Sequence, residues 1–247
     1  MVRGAGLKHV YWLEQTEANV PAENDWLSAG ESAVLNGMRF AKRRADWRLG
    51  RWTAKHAVAS FLDLPADARA LAEIEIRPAS SGAPEVFIAN CPAAVTVSIS
   101  HRSGASICAV ALSGVDLGCD QEVIEPRSEA FVADYFTENE QALVAQVCEA
   151  ERCRLVTLVW SAKESALKAL REGLRLDTRS VDVSPVDGAL DLNGWRPLRI
   201  CADGRSFQGW WQQAHGMVRT FVADPASDPP VLLQAPTHIS NSACRTG

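Results

Sequence analysis

Trp160-Ser161-Ala162-Lys163-Glu164-Ser165-Ala166-Leu167-Lys168-Ala169-Leu170 is the stretch from which the rest of the chain can be read. As a helix it sets Trp160, Glu164 and Lys168 on one stripe and turns Leu167 and Leu170 toward a core. Earlier in the chain stands Cys119-Asp120-Gln121-Glu122-Val123. As a strand, its period of two puts Asp120 and Glu122 on one face and Gln121 on the other. Packed together, strand and helix would join three carboxylates and a lysine. Such a set suits a hard divalent cation such as Mg²⁺, which leaves its other positions to water and phosphate oxygens. Each piece also has an ordinary meaning. Glu placed four residues before Lys is the favoured surface ion pair of any helix, and Asp120 and Glu122 alone are solvated carboxylates. Trp160, a large aromatic on the same stripe, argues that this face is covered.

Outward from this stretch, composition sets the class. The 247 residues carry a net charge of −5 with 22% charged and 47% hydrophobic residues, the balance of an ordinary globular protein. No run approaches the roughly 18 apolar residues of a membrane span, and the first residues lack a signal-peptide pattern. A cytoplasmic protein with no membrane partner is expected, and the acidic balance argues against nucleic acid. Seven cysteines with no CxxC pair read as reduced, buried thiols rather than disulfides or a zinc site.

Charge is distributed unevenly. Arg39, Lys42, Arg43, Arg44, Arg48, Arg51 and Lys55 stand close together with only Asp46 to oppose them. In a helix, Arg44, Arg48, Arg51 and Lys55 form one basic stripe. It is either a solvated face or a cradle in which guanidinium groups hold phosphate through bidentate hydrogen bonds.

In chain order, a first strand over 9–13 is followed by a loop and a helical region over 31–62, broken near Asn36-Gly37 and closed by Leu64-Pro65. Strands follow at 74–77 and 86–88, then two joined through Ser100-His101-Arg102-Ser103-Gly104. His101 there is either a polar turn residue or a donor to phosphate, helped by Ser100. A strand over 115–123 has Gly118 where a close approach is possible. Helices come next, one opened by the capping box Thr137-Glu138-Asn139-Glu140, and short strands over 181–222 end the ordered part. From 224 on, composition suggests a flexible tail. The expected architecture is α+β, with halves over 1–113 and 114–223, a tail over 224–247, and a ligand cleft between the halves. Element order, not sequence repetition, suggests this pairing.

Five segments in this order resemble the 4′-phosphopantetheinyl transferase superfamily, in particular its Sfp-type pseudodimeric monomers. They are Arg44-Ala45-Asp46-Trp47-Arg48-Leu49-Gly50-Arg51, Ser98-Ile99-Ser100-His101, Gly118-Cys119-Asp120-Gln121-Glu122, Phe136-Thr137-Glu138-Asn139-Glu140, and Trp160 to Lys168. The resemblance implies transfer of the phosphopantetheine arm of coenzyme A to a serine of an acyl or peptidyl carrier protein, in fatty-acid, polyketide or nonribosomal peptide synthesis. It implies Mg²⁺, or Mn²⁺, on Asp120, Glu122 and Glu164, with Glu164 also as general base and Lys168 on the pyrophosphate. It further implies Ser100 and His101 on the pyrophosphate and 3′-phosphate, Arg44 and Arg51 on the 3′-phosphate with Arg48 beside them, and carrier docking around 136–140 and the helix that follows.

Two departures stand out. Ala83-Pro84 lacks the lysine that commonly precedes this proline, leaving Arg77 or Arg102 as substitutes. Cys119 and Gln121 replace aliphatic residues, and Gln121 suggests a less buried strand edge. The rival reading is a catalytically silent relative that binds coenzyme A or a carrier, and intact Asp120, Glu122, Glu164 and Lys168 argue against it. A magnesium-dependent pyrophosphatase is a third, with no P-loop to support it.

Overall fold

The computed structural model describes residues 9–171, 176–186, 190–202 and 204–234. Alternation along the strands decides its layering. β1 (Tyr11–Thr16), β5 (Val95–Arg102), β6 (Ala105–Leu112) and the short β12 (Val231–Leu232) form a sheet in the order β12-β1-β6-β5. Leu13, Val97, Cys108 and Val110 face a core shared with Trp52, Ala57, Val58 and Phe61 of helix α2 (Ala41–Leu62). Their neighbours Trp12, Ile107, Ala109 and Ala111 turn the other way.

The second sheet has the order β7-β11-β10-β9-β8, with β7 at Asp116–Val123, β8 at Val181–Pro185, β9 at Arg196–Ala202, β10 at Arg205–Ala214 and β11 at Met217–Asp224. Val183, Ile200, Phe207 and Val222 share a core with Val159, Ala162, Ala166 and Leu167 of helix α6 (Glu149–Ala169). Leu117, Cys119, Phe221 and Ala223 join Trp12 and Ile107 in a third cluster between the two sheets. The layers are thus helix, sheet, sheet, helix. Trp12, Trp195 and Phe221 meet edge-on at the centre, with ring centroids 5.2 to 5.9 Å apart. Buried Arg219 of β11 crosses this interface to pair with Glu14 of β1.

A third, small sheet, β2 (Ile74–Pro78), β3 (Pro84–Ile88) and β4 (Cys91–Pro92), and the helices α1 (Ala29–Gly37), α3 (Ala68–Glu73), α4 (Glu129–Tyr135) and α5 (Glu138–Gln146) complete the described elements used below. The break expected at Asn36-Gly37 separates α1 from α2.

One buried device occurs twice. In the capping box Ser28 to Glu31 at the start of α1, the Glu31 carboxylate also accepts from Ile76 N–H and lies 2.5 Å from Lys55 Nζ of α2. In the box Thr137 to Glu140 at the start of α5, Glu140 accepts from Val183 N–H and lies 2.8 Å from Lys163 Nζ of α6. Each ammonium also donates to two backbone carbonyls, Trp26 and Leu71 for Lys55, Thr178 and Val181 for Lys163. Both lysines are fully buried. A buried charge persists only when paired and hydrogen-bonded in this manner.

Three expectations change here. Lys55 is not part of an exposed basic stripe, because its ammonium is the partner of Glu31 inside the core. The chain from 224 also does not leave the fold at once: β12 pairs parallel with β1, and Leu233 is buried. Residues 235–247, including Cys244, lie outside those described. Among the described cysteines, which are all free thiols, Cys108 and Cys119 are buried, but Cys91, Cys148 and Cys201 are exposed.

Candidate active site

Gly118 lets the site form. A Cβ built on it would lie 1.7 Å from the backbone oxygen of Ser165, so α6 rests directly on β7 at a point where no side chain fits. From that contact the strand period sends Asp120 and Glu122 toward α6. On the helix, Trp160, Glu164 and Lys168 are half-buried, whereas Ser161, Ala162, Lys163, Ser165, Ala166 and Leu167 are buried. The stripe read from the sequence is therefore the part of α6 that reaches the surface. Lys168 Nζ donates to Asp120 Oδ1 at 2.8 Å and to the Cys119 carbonyl at 3.0 Å.

The sheets meet at this place. Ser98 and Ser100 of β5 accept through their hydroxyl oxygens from Cys119 N–H at 2.9 Å and Gln121 N–H at 3.3 Å, standing in for strand carbonyls. Ser100 also donates to Asp120 Oδ1 at 2.8 Å. Asp120 Oδ2 is buried and has no hydrogen-bond partner. Gln121 is not at a less buried edge, since β5 covers it and its amide donates to the Ala105 carbonyl.

Burial is the main cause that raises Glu122 above the usual carboxylate range, with Asp120 adding to it against Arg102 and Arg127. Glu164 is raised in the same way by burial, with Lys168 opposing and Asp120 and Glu122 reinforcing. Burial alone would lower Lys168, but Asp120, Cys119 and Glu164 hold it above the usual lysine range. The Cys119 thiol is pushed up to about 11 by burial. Glu122 is gripped by Arg102 Nε at 3.2 Å and Arg127 Nη2 at 3.3 Å, and Glu125 ties the two arginines together.

Among the described residues, no group of three His, Cys, Asp or Glu side chains is already drawn together as a metal site. The donor chemistry nonetheless fits a hard cation. Asp120 offers a buried oxygen with no partner, and Glu122 and Glu164 are carboxylates whose ionisation burial disfavours.

Beside the carboxylates opens a cleft of about 390 Å³, lined by residues of α2, β5, β7 and the end of α6. Arg51, His101 and Lys168 line it, with Trp47, Ala83 and Pro84 among its apolar walls. Arg51 stacks on Trp47, 4.9 Å from the ring centroid, and its Nε lies 3.8 Å from Glu31. His101 stands 3.9 Å from Asp46 Oδ2.

Other candidates lie apart from the cleft lining. Arg48 turns away from it and donates to the carbonyls of Pro21, Ala22 and Glu23. Arg44, beside Arg48 on α2, is not in the lining. Arg77 is held by Glu75 and Asn90.

The sequence reading missed Arg171, which lines the cleft beside Lys168 from a left-handed backbone conformation, φ 58°, just past the end of α6. It also missed the Glu31 and Glu140 pairs. The Ser28-to-Glu31 spacing was their available signal, because a capping-box glutamate has a second oxygen to give.

Comparison with known proteins finds a family match in the C-terminal part of the chain. Residues 114–204 match the family model described as the 4′-phosphopantetheinyl transferase superfamily. No curated protein matches the sequence. Among solved structures, a holo-(acyl-carrier-protein) synthase from Bacillus anthracis in complex with CoA (3′,5′-ADP) aligns at 20% identity and TM-score 0.36, over 42% of this chain and 95% of its own. The Helicobacter pylori holo-[acyl-carrier-protein] synthase in complex with coenzyme A aligns at 16% identity and TM-score 0.34, over 42% and 99%. The Thermotoga maritima holo-[acyl-carrier-protein] synthase aligns at 20% identity and TM-score 0.34, over 51% and 73%. Over residues 114–204, which include β7, α6 and the Asp120, Glu122, Glu164 and Lys168 side chains, this chain is similar to the 4′-phosphopantetheinyl transferase superfamily.

Proposed function

We propose that the protein is a Mg²⁺-dependent 4′-phosphopantetheinyl transferase acting from coenzyme A on a serine of an acyl or peptidyl carrier protein. The observation that carries this reading is the junction of two chemistries in one place. Buried Asp120 and half-buried Glu122 of β7 and half-buried Glu164 of α6, inside the matched region, adjoin a cleft whose walls bear Arg51, His101 and Lys168.

Coenzyme A would lie in that cleft, with its 3′-phosphate toward Arg51 and His101 and its pyrophosphate toward Lys168 and Arg171. Asp120, Glu122 and Glu164 would hold the ion, which when bound neutralises charge on the pyrophosphate oxygens. The carrier serine oxygen bonds to the phosphorus that bears pantetheine, and the bond to the bridging oxygen breaks. Adenosine 3′,5′-bisphosphate departs, its new charge met by Lys168. The serine proton passes to Glu164, directly or through water. Ser100 acts here through Asp120, which it orients by the hydrogen bond it donates.

The finer architecture is read as a duplication, with halves over 1–113 and 114–223. Strand order β1-β6-β5 parallels β7-β11-β10, and each half repeats the buried capping-box glutamate and lysine. One chain then supplies both walls of the cleft and acts as a monomer.

The test is intact-protein mass spectrometry of an apo carrier protein incubated with the protein, coenzyme A and Mg²⁺. A gain of one phosphopantetheine mass that disappears with EDTA is expected. No gain across acyl and peptidyl carriers while coenzyme A still binds would replace this reading with a silent binder.

A further inference from the structure

The basic residues between Arg39 and Lys55 separate into distinct groups in the fold. Lys55 is in the core, Arg48 ties down the loop at 21–23, and Arg51 lines the cleft. Arg39, Lys42 and Arg43 remain exposed where α1 turns into α2, and among the described residues no carboxylate lies within ion-pair distance of them. Between them Phe40 is 72% exposed, and Val34 nearby is 51% exposed. Val34, Gly37, Met38, Phe40, Arg39 and Arg43 line a shallow groove of about 480 Å³.

This corner is held at a cost in the free protein. Phe40 is the residue that opens α2, and its side chain caps nothing; the first turn contains no acid. Lys42 and Arg43 therefore sit at the positive end of the helix dipole, where cations are unfavourable and anions favourable. An exposed aromatic surrounded by unpaired cations is matched by an acidic surface with an apolar centre.

We infer that this corner docks the carrier protein, a small acidic domain whose apolar helix face covers Phe40 while its carboxylates meet Arg39, Lys42 and Arg43. The inference rests on the transferase reading and deepens it. Phe40 and the cleft-lining Arg51 share α2, and at 1.5 Å per residue they are separated by about 16 Å along the helix. That is within the breadth of one small domain of about 100 residues. A partner of that breadth seated on Phe40 reaches along α2 as far as Arg51 at the wall of the cleft.

The surface to which the resemblance points has the opposite character. Phe136 and Glu140 are buried. No lysine or arginine occurs from Ser128 to Glu151, and the exposed side chains include Glu129, Asp134, Glu138 and Glu149. An acidic carrier would be repelled there. An anionic membrane would also meet Phe40 and its cations, but it brings no serine to the cleft.

The experiment uses the full chain with Phe40→Ala and with the triple variant Arg39→Glu, Lys42→Glu, Arg43→Glu. KM for an apo acyl carrier protein and an apo peptidyl carrier protein, KM for coenzyme A, and direct binding of a fluorescently labelled apo carrier are measured. Phe40→Ala should raise the carrier KM about tenfold. The triple variant should raise it further and abolish its salt dependence, with KM for coenzyme A unchanged in both. Equal carrier KM and equal carrier binding in all three proteins would overturn the inference, as would selective loss of binding to phosphatidylserine vesicles. If the wild type transfers nothing, the transferase reading fails separately. The binding titration still decides this one: carrier binding lost in the triple variant upholds docking at Phe40, and no carrier binding, or binding retained by the variant, refutes it.

Discussion

Gly118→Ala tests the contact on which the site depends. The new methyl carbon would lie 1.7 Å from Ser165 O, 2.7 Å from its carbonyl carbon and 2.9 Å from Ala169 N, all backbone atoms that cannot swing aside. Contacts under 3.0 Å do not persist, so α6 and β7 must separate by about 1.3 Å at the least. Lys168 spans the same junction with bonds of 2.8 Å to Asp120 and 3.0 Å to the Cys119 carbonyl, and a shift of this size breaks both. Overpacking and the lost charge-assisted bond together should cost about 3 kcal/mol or more. Misplacing the catalytic groups by about 1 Å should lower turnover about 100-fold. Urea unfolding gives the first quantity through the shift in midpoint, and the mass-spectrometric transfer rate gives the second. Gly37→Ala is the stability control, since a Cβ there meets nothing within 4 Å. Wild-type midpoint and turnover in Gly118→Ala would refute the close approach of helix and strand, and with it the geometry that assembles the carboxylates.

Other outcomes follow from the same coordinates. Glu164→Ala and Asp120→Asn should leave the circular dichroism spectrum unchanged while transfer becomes undetectable; substantial activity in either would remove it from the ion-binding set. Arg51→Ala should raise KM for coenzyme A more than for dephospho-coenzyme A, and equal effects would show that Arg51 does not meet the 3′-phosphate. Arg171→Ala should raise KM for both about equally, and an unchanged KM would exclude the pyrophosphate contact assigned to it. Lys163→Met leaves Glu140 buried without its counter-ion and should cost about 3 to 5 kcal/mol at neutral pH. Burial already raises Glu140, with Lys163 the chief opposing influence, so the variant's carboxyl is raised further. The folded variant then binds a proton that the unfolded chain has released, and its stability falls as pH rises from the usual glutamate range. Urea midpoints at pH 5 and pH 7.5 should show the variant's deficit shrinking on acidification; a deficit independent of pH would contradict the assignment.

Periodicity carried much of the sequence reading, and its failures have physical causes. The stripe of Trp160, Glu164 and Lys168 was legible because α6 buries every other side chain from Leu155 to Ala169. Gly118 was legible because a glycine inside a strand needs a reason, and here the reason is Ser165. Lys55 misled because helical spacing shows which side chains share a face, not whether an acid from another helix waits beneath them. Gln121 misled for a similar reason: β7 is the edge of its own sheet, but serines of β5 close that edge through side-chain hydrogen bonds that no pattern announces. Arg171 was invisible because its direction into the cleft depends on one left-handed residue after the helix.

Each of the two larger sheets is covered by one long helix, and the strands β1 and β7 meet those helices differently. β1 presents Tyr11 and Leu13 to the core beneath α2. β7, the corresponding strand by sheet order, presents Gly118, Asp120 and Glu122 toward α6. Apolar side chains hold α2 at an ordinary distance, whereas glycine draws α6 in until its backbone touches the strand. That closeness desolvates the carboxylates and raises Glu122 and Glu164, a cost that an ordinary core would not carry. Lys55 of α2 is taken up by Glu31 in the core, and the cations that α2 and β5 bring to the cleft are Arg51 and His101. Asp120, bonded to the cleft-lining Lys168, keeps Oδ2 buried and without a hydrogen-bond partner, so a donor oxygen stands next to a space lined by Arg51, His101, Lys168 and Arg171. In the proposed reaction a phosphate-rich ligand with a divalent cation would meet both.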